Sequence, residues 1–343
     1  MVIDTNMYWF PEDIFTSSES ADALLADISE HDDTFAYFRQ KGPDGPKEFV
    51  IERPKGYPGL NFVQGEYTLE KQLSDMDSAG VEKAVLKISC LQEYLSLEMC
   101  RYFNDGMAAH ARASGGRLIA LGVLPPAGSP EVFAEAERCM GELGMHGFQL
   151  TAHYGGHYLD YSGFASFFEY LNGLKATVYI HHVPVPVQYD SIYEFNDLRR
   201  TYGRCADQCT AVGRELFSGF FDRYPDLRFV HSMLGGGFFA YMSMFFPPAS
   251  NDSAARFSCD TNAKKHLKEN IFFEMSHAAP WGKQQLECAA AVMGADHILF
   301  GSSYPVRREW LTGGPDFVRS LDIPAEDAEL ILGENARLLY HID

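Results

Sequence analysis

Val2-Ile3-Asp4-Thr5-Asn6-Met7-Tyr8-Trp9-Phe10-Pro11 opens the chain and separates two architectures. Val2 to Asn6 is a short run of apolar and β-branched residues, and a strand is predicted there. An open, doubly wound sheet would follow its first strand with a glycine-rich turn that cradles a phosphate. Met-Tyr-Trp-Phe-Pro holds no glycine and cannot form one. The doubly wound sheet becomes the second choice.

Seven further runs of the same kind follow: Lys83 to Ile88, Leu118 to Val123, Gly147 to Thr151, Thr177 to His181, Arg228 to His231, Ile271 to Glu274 and Ile298 to Phe300. Helical patterns lie between them, at Leu69 to Ala79, Glu93 to Ala113, Pro130 to Leu143, Arg204 to Tyr224 and Gln284 to Met293. Eight βα units in succession predict an α/β protein, a closed (β/α)8 TIM barrel spanning 1–343 as one domain. Only the stretch from about Trp9 to Tyr67 breaks the alternation. With Gly42-Pro43, Gly45-Pro46, Arg53-Pro54 and Tyr57-Pro58 it reads as a cap inserted after strand one.

The 343 residues carry 28 Lys+Arg against 47 Asp+Glu, a net charge of −19. That balance argues against nucleic acid and anionic membrane as partners, since both need a basic face. An apolar content of 46% provides for a large core and excludes a disordered chain. The seven cysteines are odd in number and scattered, without a CxxC pair, as expected of free thiols in a reducing cytoplasm. No basic leader precedes the first strand, and the longest uncharged stretch, Leu234 to Ala249, is broken by Gly235, Gly236, Gly237, Pro247 and Pro248. A soluble, cytoplasmic protein is expected.

In a parallel barrel the carboxyl ends of the strands carry the chemistry. Those ends hold Asn6 and Tyr8, Gln149, His181 and His182, His231, Glu274, and Ser302, Ser303 and Tyr304. Several of them lie in recognisable company: Val-Ile-Asp at the start, Asp77 to Lys83, Leu121 to Pro125, Tyr179 to His181, His231 to Gly236, Ile298 to Pro305 and Gly333 to Leu338. In this order the chain resembles the decarboxylase branch of the amidohydrolase superfamily, the group containing aminocarboxymuconate-semialdehyde decarboxylase and the resorcylate-type decarboxylases. The resemblance implies a barrel of the amidohydrolase type and carbon–carbon lysis, or ring-opening hydrolysis, of a small aromatic or cyclic oxygenated acid.

It also implies a metal held by an HxH pair after strand one, a His after strand five and an Asp after strand eight, with an acid/base His after strand six. Here the HxH positions read Asn6 and Tyr8 and the Asp position reads Ser303, so that His181 alone is retained of the ligands. An amide, a phenol, a hydroxyl and one imidazole make a poor site for a divalent ion. The site is therefore expected to work without metal or other cofactor, although a cluster rebuilt from His153, His157, His182, His277 or Glu274 is conceivable. By the same alignment His231 is the acid/base residue, because imidazole moves protons near neutral pH.

Tyr8 and His181 are expected to act as donors to developing oxyanion charge, with Asn6 and Ser303 orienting the substrate. His182 should point away from the mouth if strand five persists. Trp9, Trp281, Gln149 and His153 are candidates for substrate contact, and Arg53 is the candidate cation for a substrate carboxylate. The rival reading is a barrel that binds without turnover; against it stand a polar mouth and a retained His231. Finally, Phe238 to Pro248 is richer in large apolar groups than one helix face can bury, which predicts a homodimer.

Overall fold

The computed structural model describes residues 1–187, 190–192, 194–247 and 261–343. Eight parallel strands form the centre: β1 (Ile3–Tyr8), β2 (Lys83–Lys87), β3 in two pieces (Leu118–Ala120 and Gly122–Val123), β4 (Phe148–Thr151), β5 (Thr177–His181), β6 (Arg228–His231), β7 (Ile271–Glu274) and β8 (Ile298–Leu299). Each pairs in parallel with the next in sequence. Closure between β8 and β1 comes from a bridge joining Met7 to Tyr304 and from Thr5 N–H donating to the Phe300 carbonyl at 2.9 Å. The ring is a complete barrel with the strand order of the sequence.

Side chains alternate across this wall with period two. Ile3, Val85, Ile119, Tyr179, Val230 and Leu299 point inward and fill the floor, where Tyr340 and Ile342 of the C-terminal segment plug it from below. Their sequence neighbours, among them Leu86, Phe148, Leu150, Ile180, Phe229 and Phe273, point outward and pack under the surrounding helices. The helix ends follow local chemistry. Ser96 and Ser129 cap the helices Leu97–Ala113 and Pro130–Gly141, and Gly80, at φ 65°, closes Leu69–Ala79 in the left-handed region. The single helix expected over Arg204 to Tyr224 is two, Arg204–Phe217 and Phe220–Arg223, because Gly219 at φ 72° breaks the ladder.

The insertion after β1 folds as expected of a cap. A helix, Ser18–Ser29, leads into three antiparallel strands, Phe35–Gln40, Lys47–Glu52 and Pro58–Val63. Phe10 fastens it to the barrel, stacking on Phe62 at 4.2 Å and packing on Phe49 and Phe15. Among the described residues no helix is long and apolar enough to cross a membrane. Pro248, Ala249 and Cys259, named above in the dimer segment, the uncharged stretch and the thiol set, lie outside the described residues.

Candidate active site

At the carboxyl end of the barrel opens a cavity of about 450 Å³, lined by Tyr8, Cys90 and His182 at its base. Met233, Pro280, Trp281, Val306 and Trp310 make its apolar walls, and Arg200, Arg204 and His277 its polar ones. Trp310 stacks on the His277 ring at 4.2 Å, and Trp281 is held by its indole N–H on the Met275 carbonyl at 2.9 Å. The space suits a small planar molecule.

Four of the residues singled out by sequence meet at the cavity base. Tyr8 Oη lies 3.0 Å from His181 Nε2 and 3.5 Å from Ser303 Oγ, and Asn6 Nδ2 donates to Ser303 Oγ at 3.1 Å. His181 Nδ1 is 2.6 Å from the His182 carbonyl, which can only accept. The proton of His181 therefore sits on Nδ1, and Tyr8 donates to Nε2. Burial holds His181 down at about 3, so it is neutral, and burial pushes the Tyr8 phenol above its ordinary range.

His231 is not in the cavity. It lies on the outer face of β6 with Phe229, completely buried, between Gln208 Oε1 at 2.9 Å and Glu215 Oε2 at 2.7 Å from the helix Arg204–Phe217. The inward parity of β6 runs through Val230 to Ser232, and the residue that reaches the cavity is Met233. The glycines behind it do not admit a ligand either: a Cβ on Gly236 would strike the Cys205 carbonyl at 1.7 Å, so they admit the helix.

Four expected substrate contacts are also placed elsewhere. Trp9 turns outward onto Phe103 and His110. Gln149 bridges strands, accepting from Ile88 N–H at 3.0 Å and donating to Ile88 carbonyl at 2.5 Å. His153 pairs with Asp207 at 3.2 Å beneath a helix. Arg53 faces Glu93 at 3.4 Å at the cap's edge, outside the cavity. Trp281 alone of the predicted aromatic contacts lines it, and His182 does too, because β5 ends at His181 and the next residue is freed from strand parity.

The structure adds Lys87, Arg200 and Arg204, which the sequence did not single out, and gives Glu274, named there only at a strand end and in a conceivable metal cluster, a set of hydrogen-bond partners. Lys87, on the inward side of β2, is wholly buried; its Nζ donates to the Thr5 carbonyl at 2.6 Å and lies 3.6 Å above the Tyr179 ring. Glu274 receives Tyr179 Oη at 2.6 Å, Asn6 Nδ2 at 3.1 Å and both Ser276 donors. Burial brings Lys87 down to about 7 and lifts Glu274 to about 7. Arg200 and Arg204 stand on the segment leading into Arg204–Phe217, where a run of basic residues was the available signal.

A closed (β/α)8 ring with its polar groups gathered at the strand ends is the architecture of a barrel enzyme. The amidohydrolase family model matches residues 91–342, and the chain belongs to that family. It is 27% identical to 2-amino-3-carboxymuconate-6-semialdehyde decarboxylase of Dictyostelium discoideum over 253 residues, 72% of this chain and 68% of that one. The 5-carboxyvanillate decarboxylase of Sphingomonas paucimobilis superposes with a TM-score of 0.78 at 21% identity, covering 100% of this chain and 99% of that one. The dihydroxybenzoic acid decarboxylase of Polaromonas, solved with bound manganese and 2-nitroresorcinol, superposes with a TM-score of 0.72 at 19% identity, covering 99% and 96%.

The residues here do not fit a manganese or zinc ion. Both oxygens of Glu274 are engaged, and His181 has one nitrogen protonated and the other occupied by Tyr8. Cys90, His181 and His182 bring donor atoms within 4.8 Å of one another, but burial pushes the Cys90 thiol up, away from thiolate. Asn6 Oδ1 is buried without a partner, yet it is a neutral oxygen. Lys87 and Arg204 place positive charge beside this set, where a divalent ion needs the opposite.

Proposed function

We propose that the protein decarboxylates a small aromatic carboxylic acid carrying a ring hydroxyl, and that it does so without a metal. The observation that carries this reading is the buried Tyr8–His181 couple, 3.0 Å apart at the base of an aromatic-walled cavity. Because Tyr8 spends its proton on His181, its oxygen presents lone pairs upward, ready to accept from a substrate hydroxyl. Family membership and the acids named for the similar proteins support the same class of reaction.

His277 takes the proton-transfer role that the sequence gave to His231. It stands in the cavity wall with Nδ1 shielded and unpartnered, and Trp310 fixes its ring. In the step proposed, His277, which burial holds at about 4 and so keeps neutral in the empty cavity, takes up a proton once the acid is bound and hands it to the ring carbon bearing the carboxylate. The bond to the carboxylate then breaks, its electron pair returns to the ring, and carbon dioxide leaves. His277 regains a proton from solvent at the open mouth. Tyr8 and the hydroxyl it accepts keep the ring in register throughout.

The test is a panel of hydroxybenzoates assayed for carbon dioxide release, with elemental analysis of tag-free protein in parallel. Release that survives exhaustive chelation, with well under one metal ion per chain, is expected. Loss of activity on chelation and its return with manganese would overturn metal independence. The alternative of binding without turnover gains one point from the structure, since the retained His231 no longer argues against it; binding with no release across the panel would establish it. We also propose a homodimer through Phe238 to Phe246, supported by Tyr241 at 45% and Met244 at 68% exposure. A dimer mass by light scattering is expected, and a monomer at micromolar concentration would refute it.

A further inference from the structure

Arg204 stands in the cavity wall with no counter-charge among the described residues. Its Nε is shielded from solvent without a partner, and among the described residues no carboxylate, carbonyl or hydroxyl binds its guanidinium. Four arginines elsewhere show the contrast. Arg53 faces Glu93 at 3.4 Å, Arg138 faces Glu135 and Asp105 at 2.8 and 2.5 Å, Arg214 faces Asp160 at 2.8 Å and Arg308 faces Asp75 at 2.7 Å. An uncompensated guanidinium partly withdrawn from water is costly, and an acidic chain with 47 carboxylates had ample means to pair it.

The surroundings say what would pair it. Arg200 lines the same cavity as a second cation, while Asp197, the one acid of the lining, is exposed at the rim and ion-paired with neither. Arg204 shares the cavity lining with Tyr8, Cys90, His182 and His277, and its charge acts on each of them and on His181. Trp281, Met233 and the stacked His277–Trp310 pair line the same cavity and give it apolar, ring-bearing walls. A planar fork of donors beside a slot for a ring matches a carboxylate attached to that ring.

We propose that Arg204, seconded by Arg200, is the carboxylate-binding residue of this cavity, and that its ligand is a planar ring acid held as the carboxylate anion. This rests on the reading of the cavity as an acid site, and not on turnover. Burial is the main cause that opposes charge on His277 and the Arg204 charge the second; a bound carboxylate would offset the second, so that binding of the acid favours the proton carrier.

The experiment is titration calorimetry with 2-hydroxybenzoate and its neutral counterpart 2-hydroxybenzamide at pH 7.5, on the wild-type chain, R204M and R200M. Wild type is expected to prefer the acid over the amide by about 10- to 150-fold, the range of a charge-assisted bond. R204M should lose that preference while keeping its affinity for the amide, with R200M showing a smaller loss. Without ligand, R204M should melt no lower than wild type, since it sheds an unpaired, half-buried charge; a structural arginine would show the reverse. Equal affinity for acid and amide in the wild type, which needs no variant, would overturn the proposal. So would an R204M that binds the acid unimpaired, or a wild type that binds neither compound. Tight acid binding with no carbon dioxide released would refute the decarboxylase reading and leave this one standing.

Discussion

Two histidines on adjacent strand ends of one barrel have opposite surroundings. His231, on β6, is closed on both nitrogens by Gln208 and Glu215 and has no contact with the cavity. His277, three residues after the end of β7, has its Nδ1 shielded and unpartnered and faces the cavity from its wall. A buried polar group whose bonds are complete belongs to the structure; one whose bonds are left open is held for something absent. Arg53 and Arg204 repeat the contrast, one answered by Glu93 and the other by nothing among the described residues.

The comparison breaks first on turnover. H277N retains hydrogen bonding but cannot carry the proton, and the rate is expected to fall about 10²- to 10⁴-fold with substrate affinity largely kept. H231N should leave the rate within a few-fold. The opposite ranking in steady-state kinetics would return the acid/base role to His231 and sink the division drawn here.

Stability should order the two residues the other way. Removing one partner of the His231–Glu215 pair leaves the other buried and unanswered, a loss of about 3–5 kcal/mol. H231L should therefore lower the denaturant midpoint sharply, whereas H277N should shift it little. Equal midpoints for H231L and wild type would show that the pair carries no structural weight.

The smallest expected effect is on acid stability. Burial holds His110 and His277 at about 4 and His181 at about 3, below the ordinary 6.5. The unfolded chain then binds more protons than the folded one, so stability is full above about pH 6.5 and declines as pH falls toward 4. H277N removes one of these groups and should show a slightly smaller drop in melting temperature between pH 7 and pH 5. An identical drop would mean that His277 is not held neutral in the folded protein.

Much of this was legible in the sequence. The barrel, its strand order and the cap after β1 follow from eight apolar runs, helical spacing between them and one stretch that fits neither, because periodicity and turn chemistry are local. The convergence of Asn6, Tyr8, His181 and Ser303 was legible too, since each ends a strand at an inward position of a ring that must close. What the sequence could not determine is which face of a short strand looks in. Arg228 to His231 offers Phe229 and His231 to one side and Val230 to the other, and only the packing of Phe229 beneath the helix decides that His231 goes out and Met233 reaches the cavity. The same limit applies to charge: Arg53 and Arg204 are alike as letters, and their difference arises because folding delivers Glu93 to one and, among the described residues, no counter-ion to the other. Local pattern sets the elements; which polar groups are left unanswered is a property of contacts between residues distant in the chain, and only the tertiary structure supplies it.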